Sequence, residues 1–173
     1  VRRNTGSFGT INYMANQDGF TLYDTVAYNY RHNEANGEDN RDGSEFNYSW
    51  NCGIEGATRK QAIRKMREQQ MRNAFLMLLL SQGTPMIYGG DEFANSQAGN
   101  NNAWCQDNAV GWTDWKNAKK QENLSAFVKE AIAFRKKHPI LHMPQEMRGV
   151  DYMAKGFPDI SVHGECAWCL NRD

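Results

Sequence analysis

The residues most able to do chemistry are carboxylates placed directly after strand-like stretches. Asp18 follows Thr10–Ala15, and Asp91-Glu92 follow Thr84–Tyr88. In parallel β/α architectures, function collects just beyond the C-terminal ends of strands. Two long polar loops continue from the same ends. Arg31–Gly56 is dense in Asn, Asp, Glu and Gly and carries Phe46, Tyr48 and Trp50. Ala94–Gly111 contains Gly99-Asn-Asn-Asn102. Amides and carboxylates hydrogen-bond hydroxyls in pairs, and aromatic faces stack on rings, so this edge suits a polyhydroxylated ligand. The alternative reading makes Asp18 a turn residue before Gly19 and Asp91 a helix cap. A calcium loop fails: with Gly43 at its sixth position, the twelfth is Ser49, where a bidentate Glu is required. Cys166-Ala-Trp-Cys169 could be a redox pair, or half of a zinc site with His138 and His142. It lies in an alternating segment rather than at a helix start, and Pro139 interrupts the two histidines. Reduced cysteines in a cytoplasmic protein are expected, with no metal and no cofactor.

The elements that must position these residues follow from periodicity. Thr58–Gln82 is the clearest helix, with Ile63, Met66, Met71, Ala74, Phe75, Leu78 and Leu79 at three/four spacing. Arg64, Lys65, Arg67 and Glu68 mark its polar face. Its last two turns are apolar all round and are expected to be buried on several sides, with Met66, Met71 and Met77 in the core. Gly83 stops it. Thr84–Tyr88 then reads as a short buried strand, and a long helix leading into it marks a βα unit with a parallel sheet. Leu22, Val26 and Ala27 fall at helical spacing within Phe20–Tyr30. Asn123–His138 is a second amphipathic helix whose face is Leu124, Phe127, Val128, Ala131, Ile132 and Phe134 or Arg135; Pro139 ends it. Ile160–Val162 and Ala167–Leu170 read as strands.

Length and composition bound the rest. The chain has 173 residues, 20 Lys+Arg against 20 Asp+Glu, and 40% hydrophobic residues. That supports a real core but falls short of a closed eight-fold β/α barrel, which needs about 250 residues. Balanced charge argues against nucleic acid and against a polybasic membrane surface. The longest apolar run, Ala74–Leu80, is far below a membrane span. The chain does not open on Met, and it is expected to have been cut from something longer.

Asn12-Tyr-Met-Ala-Asn-Gln-Asp-Gly-Phe-Thr-Leu-Tyr-Asp24 and His32-Asn-Glu-Ala-Asn-Gly-Glu-Asp-Asn-Arg-Asp-Gly43 closely resemble the isoamylase and glycogen-debranching branch of the α-amylase superfamily. So do Ser81-Gln-Gly-Thr-Pro-Met-Ile-Tyr-Gly-Gly-Asp-Glu-Phe93 and Gly99-Asn-Asn-Asn-Ala-Trp-Cys-Gln-Asp107. The resemblance runs in unbroken order to about residue 145. It implies α/β architecture, namely an incomplete (β/α)8 barrel over residues 1–145 with the start of a C-terminal β domain over 146–173. It implies retaining hydrolysis of α-1,6-glucosidic branches in glycogen- or amylopectin-type glucans. Asp18 matches the transition-state-stabilising carboxylate. Gln17, His32, Asn33, Glu34, Asn36, Arg41, Asp42, Asp91 and Glu92 are expected to bind substrate. The nucleophile and the acid/base lie upstream in family members, so the chain alone is expected to be inactive. A non-catalytic glucan-binding relative is the alternative. Two departures stand out. Gln17 replaces the usual His before the Asp and cannot become cationic. Ala94-Asn-Ser-Gln-Ala98 replaces a Gly-Arg-Thr-Gln-Gln run, removing an Arg. The open strand edge and the helix end at Phe75–Leu80 are expected to be covered by the missing part of the barrel or by self-association.

Overall fold

The computed structural model describes residues 10–144, 147–151, 153–164 and 166. Contacts divide them into a unit spanning Thr10–His142 and another containing the described residues from Met143 onward. In the first, strand β1 (Ile11–Asn12) leads through helix α1 (Leu22–Thr25) and the long polar loop to helix α2 (Gln61–Leu80). Strand β2 (Thr84–Pro85), α3 (Trp115–Lys120) and α4 (Glu122–Lys137) follow. β1 and β2 pair in parallel, with Ile11 opposite Thr84 and Asn12 opposite Pro85. The expected parallel βα arrangement is therefore present. Helices α2 and α4 pack on each other. Ala15, Leu22, Met71, Phe75, Ala94, Leu124 and Val128 form one apolar core beneath both loops. Each buried Leu or Phe contributes about 1.5–3 kcal/mol.

Several expectations are corrected. Both strands are shorter than read, because each pairs on one side only and the ladder ends where the partner does. Thr84 and Met86 are exposed rather than buried. Helix α2 buries Met71, Phe75, Leu78 and Leu79, but its last turns also present Leu76, Met77 and Leu80 to solvent. Met77 is 65% exposed and Met66 38%, so neither is core. Among the described residues, packing on α4 covers only part of the apolar pattern around that end. Arg67 does not lie on the solvated face: it is buried on the same stripe as Met71 and Phe75. In α4 the choice falls on Arg135, which is buried, while Phe134 is half exposed. Arg135 donates to the carbonyls of Leu79 and Ser81 at 2.7 Å and of Gly83 at 2.5 Å. These include acceptors that a helix C-terminus leaves open, so a cation there satisfies both hydrogen bonding and the dipole. Ile160–Val162 forms no strand. Ala167–Leu170 lies outside the described residues, as does Cys169. Cys52, Cys105 and Cys166 are free thiols.

Gly83 joins α2 to β2 at φ +98, and a Cβ there would meet the Thr10 carbonyl oxygen at 2.5 Å. That oxygen accepts the Thr84 N–H, the first rung of the β1–β2 ladder. Gly83→Ala therefore combines left-handed strain with a displaced ladder bond and is expected to cost about 2 kcal/mol. Urea unfolding checks this, and an unchanged midpoint would refute it.

Candidate functional site

The two polar loops are held together by side-chain amides rather than left open. Asn33 is fully enclosed. Its Nδ2 donates to the Asp42 carbonyl at 2.9 Å and to Asn101 Oδ1 at 2.8 Å, while its Oδ1 accepts the Asn101 N–H at 3.0 Å. Its own N–H donates to Asn40 Oδ1. Both of its amide protons are committed inside the protein. Asn36 Nδ2 reaches Asp42 Oδ2 at 2.7 Å, and Asn102 Nδ2 reaches the same oxygen at 2.8 Å. The Asn36 and Asn102 amides hold the Asp42 carboxyl below its ordinary range. Asn100 Nδ2 and Gln106 Nε2 both donate to Asn36 Oδ1. Asn101 Nδ2 reaches the Ser44 carbonyl and Asn47 Oδ1. The Asn/Asp density of Arg31–Gly56 and of Gly99–Asn102 is thus a mutual lattice that lets two loops with little regular structure keep one shape.

A second set of buried groups fixes this lattice to the core. Asp24 is fully enclosed and accepts from Ser96 Oγ at 2.5 Å and from the Gln97 N–H at 2.8 Å. Burial pushes its pKa up to about 6. Asp91, 3% exposed, accepts the Leu22 N–H at 2.8 Å, and burial pushes its pKa up to about 7. It also opens a short 3-10 turn, Asp91–Phe93. Glu92 Oε2 accepts the Gly90 N–H at 2.9 Å.

The expected site residues therefore divide in three. Asn33 and Asp91 are enclosed and act as struts. Asn36 and Asp42 are partly exposed members of the lattice. Gln17, Asp18, His32, Glu34 and Arg41 face solvent. Asp18 donates its N–H to Asn16 Oδ1 at 2.8 Å, in a turn just beyond β1, and among the described residues its carboxylate has no partner. His32 donates its N–H to the Gly99 carbonyl at 2.7 Å, and its Nε2 lies 3.3 Å from Glu55 Oε1. Arg41 pairs with Asp39 at 3.3 Å where both side chains are largely in water. Such a pair contributes little. The stretches that carry the two loops also expose the rings of Tyr30, Phe46, Tyr48, Trp50 and Trp104, with Tyr48 97% exposed.

Glu55, which the sequence did not single out, and Arg67, expected on the polar face, complete the scaffold. Glu55 accepts the Asn29 and Tyr30 N–H groups and Asn51 Nδ2. Arg67 gathers the carbonyls of Gly56 at 2.7 Å, Asn51 at 2.9 Å, Ala27 at 3.4 Å and Ile54. The readable signal for Arg67 was its place four residues before Met71 on the apolar stripe.

No family model matches the chain. Curated relatives do. The chain is 49% identical over 140 residues to the glycogen operon protein GlgX homolog of Mycobacterium bovis, covering 81% of this chain and 19% of that protein. It is 49% identical over 132 residues to the glycogen debranching enzyme of Klebsiella pneumoniae, covering 76% and 20%. It is 45% identical over 127 residues to the chloroplastic isoamylase 1 of Oryza sativa, covering 73% and 16%. The chain thus spans about a fifth of the length of these relatives. Among solved structures, the pullulanase of Anoxybacillus sp. LM18-11 complexed with maltotetraose superposes with a TM-score of 0.55 at 23% identity, covering 79% of this chain and 16% of that one. The pullulanase of Bacillus acidopullulyticus gives 0.54 at 23% identity, covering 78% and 13%. These superpositions give the fold, and the sequence matches give the family. The parallel βα arrangement, the loop motifs and these relatives together mean that the chain belongs to the isoamylase and glycogen-debranching branch of the α-amylase superfamily.

Proposed function

We propose that this chain supplies the C-terminal part of the catalytic barrel of a retaining α-1,6-glucosidase acting in the cytoplasm on glycogen- or amylopectin-type glucans. The observation that carries this reading is the Asp18 carboxylate, without a partner among the described residues and in a solvent-facing turn beyond β1, in a chain whose two polar loops are locked by the asparagine lattice. A carboxylate so placed can accept hydrogen bonds from sugar hydroxyls and stabilise positive charge as the glycosidic bond breaks. Gln17 orients hydroxyls next to it. His32, Glu34, Asn36, Arg41, Asp42 and Glu92 form the polar wall toward substrate. Asn33 and Asp91 hold that wall in place from inside. The exposed rings at Phe46, Tyr48, Trp50 and Trp104 offer stacking faces.

Retaining hydrolysis needs a nucleophile and an acid/base. Family resemblance puts both upstream of the part matched here, so this polypeptide alone is inactive under this proposal. Residues 1–145 belong to the barrel and residues 146–173 begin the following β domain. On branched glucan, the purified 173-residue chain is expected to release reducing ends at the background rate; clear turnover would overturn the reading. Gln17 favours a second reading, a relative kept for binding glucan without hydrolysis. Retention of the chain on an amylopectin column, with release by maltotetraose, separates the two.

A further inference from the structure

A cavity of about 630 Å³ opens between the N-terminal half of α2, the tyrosines at and after α1, and α3. None of the expected substrate residues lines it. On α2 its wall includes Gln61, Arg64, Lys65 and Glu68, spaced so that these four share one helix face, with Arg67 and Met71 deeper. The cations are in surplus. Glu68 is paired with Arg72 at 2.7 Å. Asp114 is committed as the cap of α3, accepting the Lys116 and Asn117 N–H groups. Arg64 and Lys65 are exposed and have no carboxylate partner among the described residues. Beneath them lies the buried Arg67, which no carboxylate neutralises among the described residues. The uncharged donors are also partly free. Among the described residues the Tyr28 hydroxyl has no hydrogen-bond partner, and burial pushes its pKa up to about 12, so it stays an O–H donor. The side chains of Gln61 and, on the α3 side, Gln121 line the same cavity and are likewise uncommitted among the described residues.

An anionic group with hydroxyls around it satisfies all of these at once. We propose that this groove binds a sugar phosphate, its phosphoryl oxygens on Arg64 and Lys65 and its hydroxyls on Gln61, Gln121 and Tyr28. The cations supply charge-assisted hydrogen bonds, and the neutral donors discriminate a sugar ester from bare phosphate. The site goes beyond the glucan-binding edge and does not depend on it.

Isothermal titration of the 173-residue chain tests this with glucose 6-phosphate, inorganic phosphate and glucose as separate probes. Glucose 6-phosphate is expected to bind saturably, and more tightly than either other probe. The doubly substituted Arg64→Gln/Lys65→Gln chain, altered only at exposed positions and checked by circular dichroism, is expected to bind it about tenfold or more weakly. Tyr28→Phe is expected to narrow the preference over inorganic phosphate. The absence of saturable binding to the unaltered chain would overturn the proposal. So would equal affinity for inorganic phosphate, or undiminished binding by the folded double variant.

Discussion

Arg67→Met is expected to cost about 3–5 kcal/mol and to free the 46–56 segment for proteolysis. Arg67 is 1% exposed and sits where an apolar stripe would have Leu or Met, so volume alone does not explain its presence. Its guanidinium closes on the carbonyls of Gly56, Asn51, Ala27 and Ile54, with the Tyr23 hydroxyl 3.4 Å away. No carboxylate neutralises it among the described residues; four carbonyl dipoles do so instead. Removing the cation takes a donor from each of those oxygens. The Ala27 carbonyl keeps the Gly56 N–H and the Asn51 carbonyl keeps the Ile54 N–H, but the Gly56 and Ile54 carbonyls lose the Arg67 donors and are left enclosed. Each orphaned buried acceptor costs roughly 1–3 kcal/mol. Arg67→Lys is not expected to rescue, because one ammonium cannot span the fork of positions that a planar guanidinium fills. Urea unfolding and limited proteolysis of both variants check this. A Met variant within 1 kcal/mol of the parent would refute it.

Arg67 also shows what the sequence conceals. Hydrophobic periodicity correctly locates α2 and α4 and the parallel pairing they imply, because both helices bury one face against a shared core. It assigns charges to the solvated side by default, which holds for Arg64 and Lys65 and fails for Arg67, and it leaves Arg135 and Phe134 as an open choice. Both buried cations collect carbonyls from a loop or a helix end, and such acceptors leave no trace in side-chain patterning. The strand lengths were not legible for a related reason: a strand ends where its neighbour ends, and that is set by tertiary pairing. Helix α3 is short and has no apolar stripe, although Asp114 two residues before Lys116 is a cap signal that could have revealed it. The candidate site was legible in its residues and half legible in their roles. Loop composition picks out Asn33, Asn36, Asp42 and Asn100–Asn102, but it cannot tell an amide aimed at a ligand from one aimed at another amide. The geometry commits most of them to each other and leaves Asp18, Gln17 and the exposed rings to face outward.

Asp91→Asn is expected to flatten the pH dependence of stability and to raise stability above neutrality. Burial is the main cause of the raised Asp91 pKa; the negative charges of Glu92 and Asp24 add to it, and the Leu22 N–H works against it. In the unfolded chain the carboxyl titrates at its ordinary value of 3.8, and in the folded chain at about 7. The folded state thus holds the proton more tightly. That contribution is complete below about pH 4 and is lost as pH rises through about 7. Asp24, raised to about 6, adds a loss of the same sign over a slightly lower range. At 1.4 kcal/mol per unit, the Asp91 share is on the order of 4 kcal/mol. The Asn variant keeps an oxygen to accept the Leu22 N–H and carries no charge to desolvate. Urea unfolding at pH 4.5, 6 and 8 is therefore expected to show parent and variant close at the lowest value and the variant ahead at the highest. A residual slope from Asp24 should remain in the variant. Parallel profiles would mean that Asp91 is charged in the folded protein at all three values, with its burial offset by a partner. The consequence reaches the site, because the Asp91–Leu22 bond joins the turn after β2 to α1, four residues beyond Asp18. A proton on Asp91 near neutrality would let that strut persist without an unpaired charge beneath the carboxylate proposed to act on glucan.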